Sequence, residues 1–204
     1  MTLHLQDFNP NRLAAVIYRP EDDVDTLLAS FASDLLRAGE YIGGVVQRNS
    51  KDGNGKLTGM QLVDLMTGRE IGIFQSLGAG SAACKLDTSG LAEATLAVTN
   101  AIANDVSLVI INKFSKQEAS GGGLRSEIAD AIIAGRAVLI AVSEKSIDAW
   151  KDFTGDRGTT LLCTRRVVDE WWQEVSYRDA MVRGIPPMAR NAPSSGRPEI
   201  TSLS

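Results

Sequence analysis

The segment NDVSLVIINKFSKQEASGGGLR, residues 104–125, organises the prediction for the whole chain. Residues 106–111 within it form a short apolar run rich in branched side chains, which predicts a buried strand rather than a helix. A polar stretch and three glycines follow, and Leu124 and Arg125 open a predicted helix. Because open α/β sheets bind ligands where a strand ends before a helix, the segment predicts a ligand site after its strand.

Strands alternate with helices on both sides of this segment. Residues 13–18, 41–48 and 137–142 are short runs that predict strands, and the first and last are apolar throughout, as in parallel sheets buried on both faces. Residues 60–75 contain a tight turn at Thr67-Gly68 and predict a hairpin. We therefore predict a three-layer α/β domain with a mostly parallel sheet and an added antiparallel hairpin.

The domain is expected to be single and to cover residues 12–185. Its 204-residue chain is 44% hydrophobic, which suits one core of ordinary size. Residues 1–11 are predicted to be a loose N-terminus. Residues 186–204 are rich in Pro, Ser and Gly, and this composition predicts a disordered tail.

Composition also limits the function classes. The chain carries 21 Lys and Arg against 25 Asp and Glu, so a nucleic-acid binder with a broad basic face is not expected. No apolar run approaches the roughly 18 residues that span a bilayer, and the N-terminus lacks the profile of a signal peptide. We therefore predict a cytoplasmic protein that is not embedded in a membrane. One histidine and two distant cysteines do not provide the roughly four ligands of a zinc site.

Five stretches carry a resemblance to a known family: AAVIYRP (14–20), GGVVQR (43–48), LVDLMTGR (62–69), CKLD (84–87) and INKFSKQEASGGGLR (111–125). They resemble an uncharacterised bacterial family encoded beside molybdate ABC transporter genes. That family is similar to the small nucleoside-triphosphatases with a phosphate-binding loop. The resemblance implies a sheet of that type and a link to molybdate transport or metabolism, but it brings no settled activity.

The resemblance places a phosphate-binding loop between the first strand and the first helix. A working loop reads GxxxxGK[ST], in which backbone N–H groups and the lysine hold phosphates and the hydroxyl holds Mg²⁺. Residues 18–26, YRPEDDVDT, contain no glycine, and Val24 and Asp25 stand at the lysine and hydroxyl positions. The sequence predicts a degenerate loop. Its acids either cap the first helix or, as a weaker alternative, form a cation site at Asp22 and Asp25.

The middle strand differs in a corresponding way. Triphosphatases of this class place an Asp for Mg²⁺ and a Glu for water activation at its end, where this chain has Asn112 and Lys113. Glu118 remains as a weak catalytic candidate. These changes predict a domain that does not hydrolyse nucleotides. Mg²⁺ is expected only under the alternative of an active triphosphatase with altered ligands, and any other cofactor is unknown.

Lost acids and retained cations predict a small anionic ligand, either an oxyanion or a phosphate-bearing molecule. Cationic, amide and glycine N–H groups are the candidate donors. They belong to Arg19, Lys85, Asn112, Lys113, Lys116, Gly121, Gly122, Gly123 and Arg125. The alternative is that the glycines form a flexible linker and the lysines are solvated.

A third hypothesis is an interaction or oligomerisation module. Trp171 and Trp172 are consecutive in a predicted closing helix, so they cannot fully share one helix face. One is expected in the core and the other in a possible homo-oligomer contact.

Overall fold

The computed structural model describes residues 9–51, 53, 57–75, 85–86, 88–182 and 184. Residues 1–8 and the predicted tail at 186–204 lie outside the described part, as does most of the loop at 76–87. The domain boundaries at 12 and 185 therefore stay predictions.

Nine strands and six α-helices form within the described residues. The strands are β1 (Leu13–Tyr18), β2 (Ile42–Lys51), β3 (Leu57–Asp64), β4 (Glu70–Gly72), β5 (Phe74–Gln75), β6 (Lys85–Leu86), β7 (Leu108–Phe114), β8 (Ala137–Ser143) and β9 (Thr159–Leu162). The helices are α1 (Val24–Arg37), α2 (Thr88–Ala103), α3 (Lys116–Ala119), α4 (Arg125–Ile133), α5 (Ile147–Thr154) and α6 (Arg165–Val182). None of these helices is long and apolar enough to cross a membrane.

Seven of the strands make one mixed sheet in the order β4-β3-β2-β7-β8-β1-β9. β2, β7, β8, β1 and β9 run parallel, whereas β3 and β4 add an antiparallel hairpin beside β2. β5 and β6 pair separately. The predicted α/β architecture, mostly parallel with an antiparallel hairpin, is confirmed.

Helices cover both faces of this sheet. Successive side chains of a strand point to opposite faces, and β1 shows the consequence. Leu13 and Ala15 pack in the cluster that contains the buried faces of α2, α4 and α5. Ala14 and Val16 pack instead with α1 and α6. The sheet is thus the middle one of three layers.

Both tryptophans of α6 are buried in the core beneath that helix. Trp171 and Trp172 are only 7% and 3% exposed. A short 3₁₀ turn at residues 10–12 lies over the first, and the indole N–H of Trp171 donates to the carbonyl of Asn11 at 3.3 Å. Neither ring is an exposed anchor, so the structure does not support the prediction that one of them forms an oligomer contact.

Candidate functional site

The acidic turn between β1 and α1 uses two of its acids as acceptors for nearby backbone N–H groups. Asp23 is the N-cap of α1, and its carboxylate accepts from the backbone N–H of Thr26 at 3.2 Å. Asp22 accepts from the backbone N–H of Arg19 at 2.8 Å. The prediction that these acids cap the helix is therefore confirmed for Asp23. No group of three His, Cys, Asp or Glu side chains in the described part of the chain is arranged to hold a metal ion.

Asp25, one turn into α1, is the centre of a polar cluster at the carboxyl ends of the strands. Its Oδ1 atom accepts from the Asn112 amide at 2.8 Å and from the Lys113 ammonium at 3.0 Å. Its Oδ2 atom accepts from the amides of Gln47 at 2.9 Å and Asn49 at 2.7 Å. A carboxylate has about four lone-pair positions, and all four are used here.

Two strands position these donors. Asn112 and Lys113 lie near the end of β7, joined by a cis peptide bond, and Gln47 and Asn49 lie in the second half of β2. The side chains of Lys113 and Asp25 are only 21% and 14% exposed, so water screens this ion pair weakly. The four donors therefore form a partly buried site for an anion. In this structure the carboxylate of Asp25 is the anion that they bind.

Tyr18, the last residue of β1, lies on another side of Lys113. The ammonium is 5.2 Å from the centroid of its ring, in the geometry of a cation–π contact. Burial, and after it the negative charge of Asp25, raises the pKa of the Tyr18 phenol, because both disfavour the phenolate. The phenol therefore stays neutral beside the ion pair at physiological pH.

In the described part of the chain, the side-chain amide of Asn112 has a hydrogen-bond partner for its nitrogen but not for its oxygen. Asn112 is 3% exposed, and while its Nδ2 atom donates to Asp25, its Oδ1 atom is buried without a hydrogen-bond partner among the described residues. Leaving a buried acceptor unpaired costs about 1–3 kcal/mol. An acceptor of this kind therefore indicates a donor that is not part of the described chain.

Glu118 has a structural role in the loop after β7. It is 6% exposed, and its Oε2 atom accepts from the backbone N–H of Ser115 at 2.9 Å. Its Oε1 atom accepts from the backbone N–H of Leu124 at 3.2 Å. The carboxylate thus joins the start of α3 to the start of α4, in the manner of a capping box.

The glycine run does not present a free cradle of N–H groups. The N–H of Gly121 donates to the carbonyl of Glu118 at 3.1 Å, and that of Gly122 to the carbonyl of Gln117 at 2.9 Å. At Gly123 the lack of a Cβ atom leaves room for the Glu118 carboxylate, since a Cβ there would lie 2.0 Å from Oε1. This corrects the expectation that the N–H groups of Gly121 and Gly122 point at a ligand.

The predicted cations are not gathered into one site. Arg125 donates to the carbonyl of Glu118 at 3.0 Å, and its guanidinium lies 4.3 Å from the centroid of the Phe153 ring. Arg19 forms an exposed ion pair with Glu144 at 2.8 Å. Lys116 is exposed on α3. The side chain of Lys85 lies outside the described part. Of the predicted donors whose side chains are described, the structure brings Asn112 and Lys113 to Asp25. Ligand binding by these two and by the predicted cations stays a prediction.

Comparison with known proteins assigns this chain to a family. The family described as "Protein of unknown function (DUF2478)" matches residues 13–171. The chain belongs to this family. All four donors and Asp25 lie within the residues that match the DUF2478 family.

A longer protein contains a segment close to this DUF2478 chain. It is the "Molybdenum import ATP-binding protein ModC 2" of Bradyrhizobium diazoefficiens, which is 61% identical over 183 residues. The match covers 90% of this chain and 20% of that relative, so the chain spans about a fifth of the relative's length. A human cancer-related nucleoside triphosphatase, solved in solution, superimposes with a TM-score of 0.48 at 13% identity, over 88% of this chain and 98% of that one.

Three residues of the DUF2478 site were not among the sequence candidates. Gln47 was assigned to the predicted strand at 41–48 and Tyr18 to the end of the strand at 13–18, whereas Asn49 falls just after the predicted strand. One signal was available for Gln47, because polar residues are rarely buried inside a sheet without a partner. At 4% exposure it is among the few buried polar residues of the described chain.

Gly123→Ala should destabilise the protein by about 2 kcal/mol more than Gly121→Ala. Both glycines have positive φ, +59° and +92°, so both substitutions carry backbone strain. Only at Gly123 would the added Cβ meet the Glu118 carboxylate, 2.0 Å from Oε1, whereas at Gly121 it meets nothing within 4 Å. Urea unfolding of both variants measures the difference. Equal losses would show that Glu118 does not press on the loop.

Cys163 should react slowly with iodoacetamide. Burial, and after it the carboxylates of Asp22 and Asp23, raises the pKa of its thiol from 9.0 to about 11. Because only the thiolate reacts, the labelling rate near pH 8 should be at least roughly tenfold below that of the urea-unfolded chain. It should rise until the pH passes about 11. Labelling across pH in a Cys84→Ser background measures this, and a midpoint near the ordinary thiol value would contradict it.

Proposed function

We propose that this chain is a non-hydrolysing domain related to nucleoside triphosphatases, that it binds a small oxyanion or phosphate-bearing ligand, and that it serves molybdate import. The observation that carries the proposal is that two carboxylates beside the carboxyl end of β7, Asp25 and Glu118, are both occupied by hydrogen bonds within the chain. Asp25 accepts four hydrogen bonds, one of them from an ammonium. Glu118 accepts from two backbone N–H groups.

Metal-assisted hydrolysis needs a carboxylate or hydroxyl for Mg²⁺ and a base for water. The residues present do not fit Mg²⁺. A cation at Asp25 would replace four donors and lie beside the Lys113 ammonium, which would repel it. Glu118 is turned into the loop, where its oxygens pair with Ser115 and Leu124. We therefore derive no hydrolytic step for this site.

Anion binding is supported by the donors themselves. One ammonium and three amide N–H₂ groups converge from β2 and β7 on a single partly buried point at the carboxyl edge of the sheet. Open α/β sheets bind ligands at this edge. Charge-assisted bonds from an ammonium are among the stronger hydrogen bonds to an oxyanion.

The link to molybdate import comes from the relative of Bradyrhizobium diazoefficiens. A segment 61% identical to this chain forms 20% of a protein that is named for molybdenum import and ATP binding. Joining a domain to another protein in one chain raises their effective concentration, which is useful when the two act together. We infer that the domain acts beside such an ATP-binding protein. Its own ligand is then molybdate or a phosphate-bearing molecule.

Two measurements test the proposal. With ATP or GTP and Mg²⁺, phosphate release should not exceed the buffer rate, and Glu118→Gln should leave it there. Calorimetric titration with molybdate, tungstate, phosphate and ATP should give binding heat with at least one of them. Mg²⁺-dependent phosphate release that Glu118→Gln abolishes would support an active triphosphatase instead. No heat with any of the four, in protein that melts cooperatively and at ligand concentrations high enough to detect weak binding, would remove the ligand from the proposal.

A further inference from the structure

We propose that the carboxylate of Asp25 is an internal competitor that occupies the anion position, and that a tetrahedral oxyanion binds by displacing it. The incoming ligand would take the donors of Lys113, Asn112, Gln47 and Asn49. This inference rests on the proposed function, because it names the site and the manner of binding of the same ligand.

The geometry supports exchange of Asp25 for an external anion, because the four donors and Asp25 are carried by different elements. The donors come from β2 and β7, which pair side by side in the middle of the sheet, whereas Asp25 is carried by a helix on one face. Removing Asp25 therefore leaves four nitrogen donors aimed at the two positions that its carboxylate oxygens occupy. A tetrahedral oxyanion presents oxygens for the same donors, with further oxygens in reserve.

A second observation indicates that Asp25 does not complete the site. The Oδ1 atom of Asn112 is buried and unpaired among the described residues, and the other end of the same amide contacts Asp25. An ionised carboxylate cannot donate a hydrogen bond to that oxygen. A tetrahedral oxyanion that keeps a proton can, since it offers both oxygens to accept and one hydroxyl to donate. Hydrogen phosphate has this chemistry at neutral pH, and molybdate lacks the hydroxyl.

The internal carboxylate has a predictable effect on affinity. When the binding-competent state is only a fraction of the population, the apparent dissociation constant rises by the inverse of that fraction. The Asp25 and Lys113 side chains are 14% and 21% exposed, and their ion pair closes the site. The wild-type protein should therefore bind an oxyanion weakly, and a variant without the carboxylate should bind it tightly.

Asp25→Ala is the decisive variant. Titration calorimetry with sodium phosphate at constant ionic strength should give a dissociation constant at least tenfold lower than for the wild type. Adding Lys113→Met to Asp25→Ala should raise it again by at least tenfold. Glu21→Ala is the matched control, since it removes one negative charge from the same turn, and Glu21 is exposed. It should stay within twofold of the wild type.

Sodium molybdate is titrated in parallel, because the two anions differ in the hydroxyl that Asn112 would accept. Tighter binding of phosphate than of molybdate by Asp25→Ala would support the role of the unpaired amide oxygen. Tighter binding of molybdate would overturn that role but not the displacement of Asp25.

The displacement is overturned if Asp25→Ala is folded and binds neither anion more tightly than the wild type or Glu21→Ala does. If the wild type still binds an anion in that case, the proposed function stands and its ligand lies elsewhere. If neither the wild type nor any variant binds an anion, both proposals fail. Should Asp25→Ala not fold, Asp25→Asn, which keeps the size of the side chain, is judged by the same tenfold criterion.

Discussion

Gly44→Ala is expected to lower the free energy of unfolding by about 4 kcal/mol, one of the two largest effects predicted for the chain. Gly44 pairs with Ile110 where β2 meets β7, and its φ is +100°. A Cβ atom there would lie 2.1 Å from the carbonyl oxygen and 2.9 Å from the nitrogen of Ile110. Backbone of a central strand cannot move aside without breaking the ladder, so the clash has no cheap relief.

Gly72→Ala provides the control, because Gly72 is also in a strand of the sheet but a Cβ there meets nothing within 4 Å. It should change the free energy of unfolding by less than about 1 kcal/mol. Urea unfolding of both variants, followed by circular dichroism, measures the comparison. Similar losses at the two positions would contradict the close approach of β2 and β7, and with it the alignment that brings Gln47 and Asn49 to Asp25.

The fold was largely predictable because its signals are local. The apolar runs at 13–18, 106–111 and 137–142 each become a strand or most of one, since only a sheet covered on both faces buries every residue of such a run. The Gly43-Gly44 pair within β2 also carried information, as glycine inside a strand indicates close backbone approach.

The site was only partly predictable because its contacts are not local. Asp25 is 87 residues from Asn112 and 88 from Lys113 in the chain. The sequence singled out the two β7 residues by their place after a buried strand, but nothing nearby indicated that an acid of α1 would satisfy them. Likewise, the glycine run suggested an anion cradle. In the folded chain, that loop is shaped around the carboxylate of Glu118 instead.

Lys113→Met should destabilise the protein by about 3 kcal/mol, since it leaves a partly buried carboxylate without its cation. The three amide donors to Asp25 remain, but they carry no charge to offset the one on the carboxylate. Arg48→Met is the control. Arg48 and Glu70 form an ion pair with the same 3.0 Å separation as Lys113 and Asp25, but with side chains 59% and 48% exposed. Its loss should cost about 0.5 kcal/mol, as for other surface pairs.

A double-mutant cycle separates the energy of the Lys113–Asp25 ion pair from the other contacts of Lys113. If the loss in Lys113→Met comes from an uncompensated carboxylate, the same substitution in an Asp25→Asn background should cost at least about 1.5 kcal/mol less. Asp25→Asn alone should be destabilising too, because its amide N–H₂ would face donors that now point at an oxygen. Equal costs of Lys113→Met in both backgrounds would mean that Lys113 acts through its contact with the Tyr18 ring, 5.2 Å away, and not through its ion pair with Asp25.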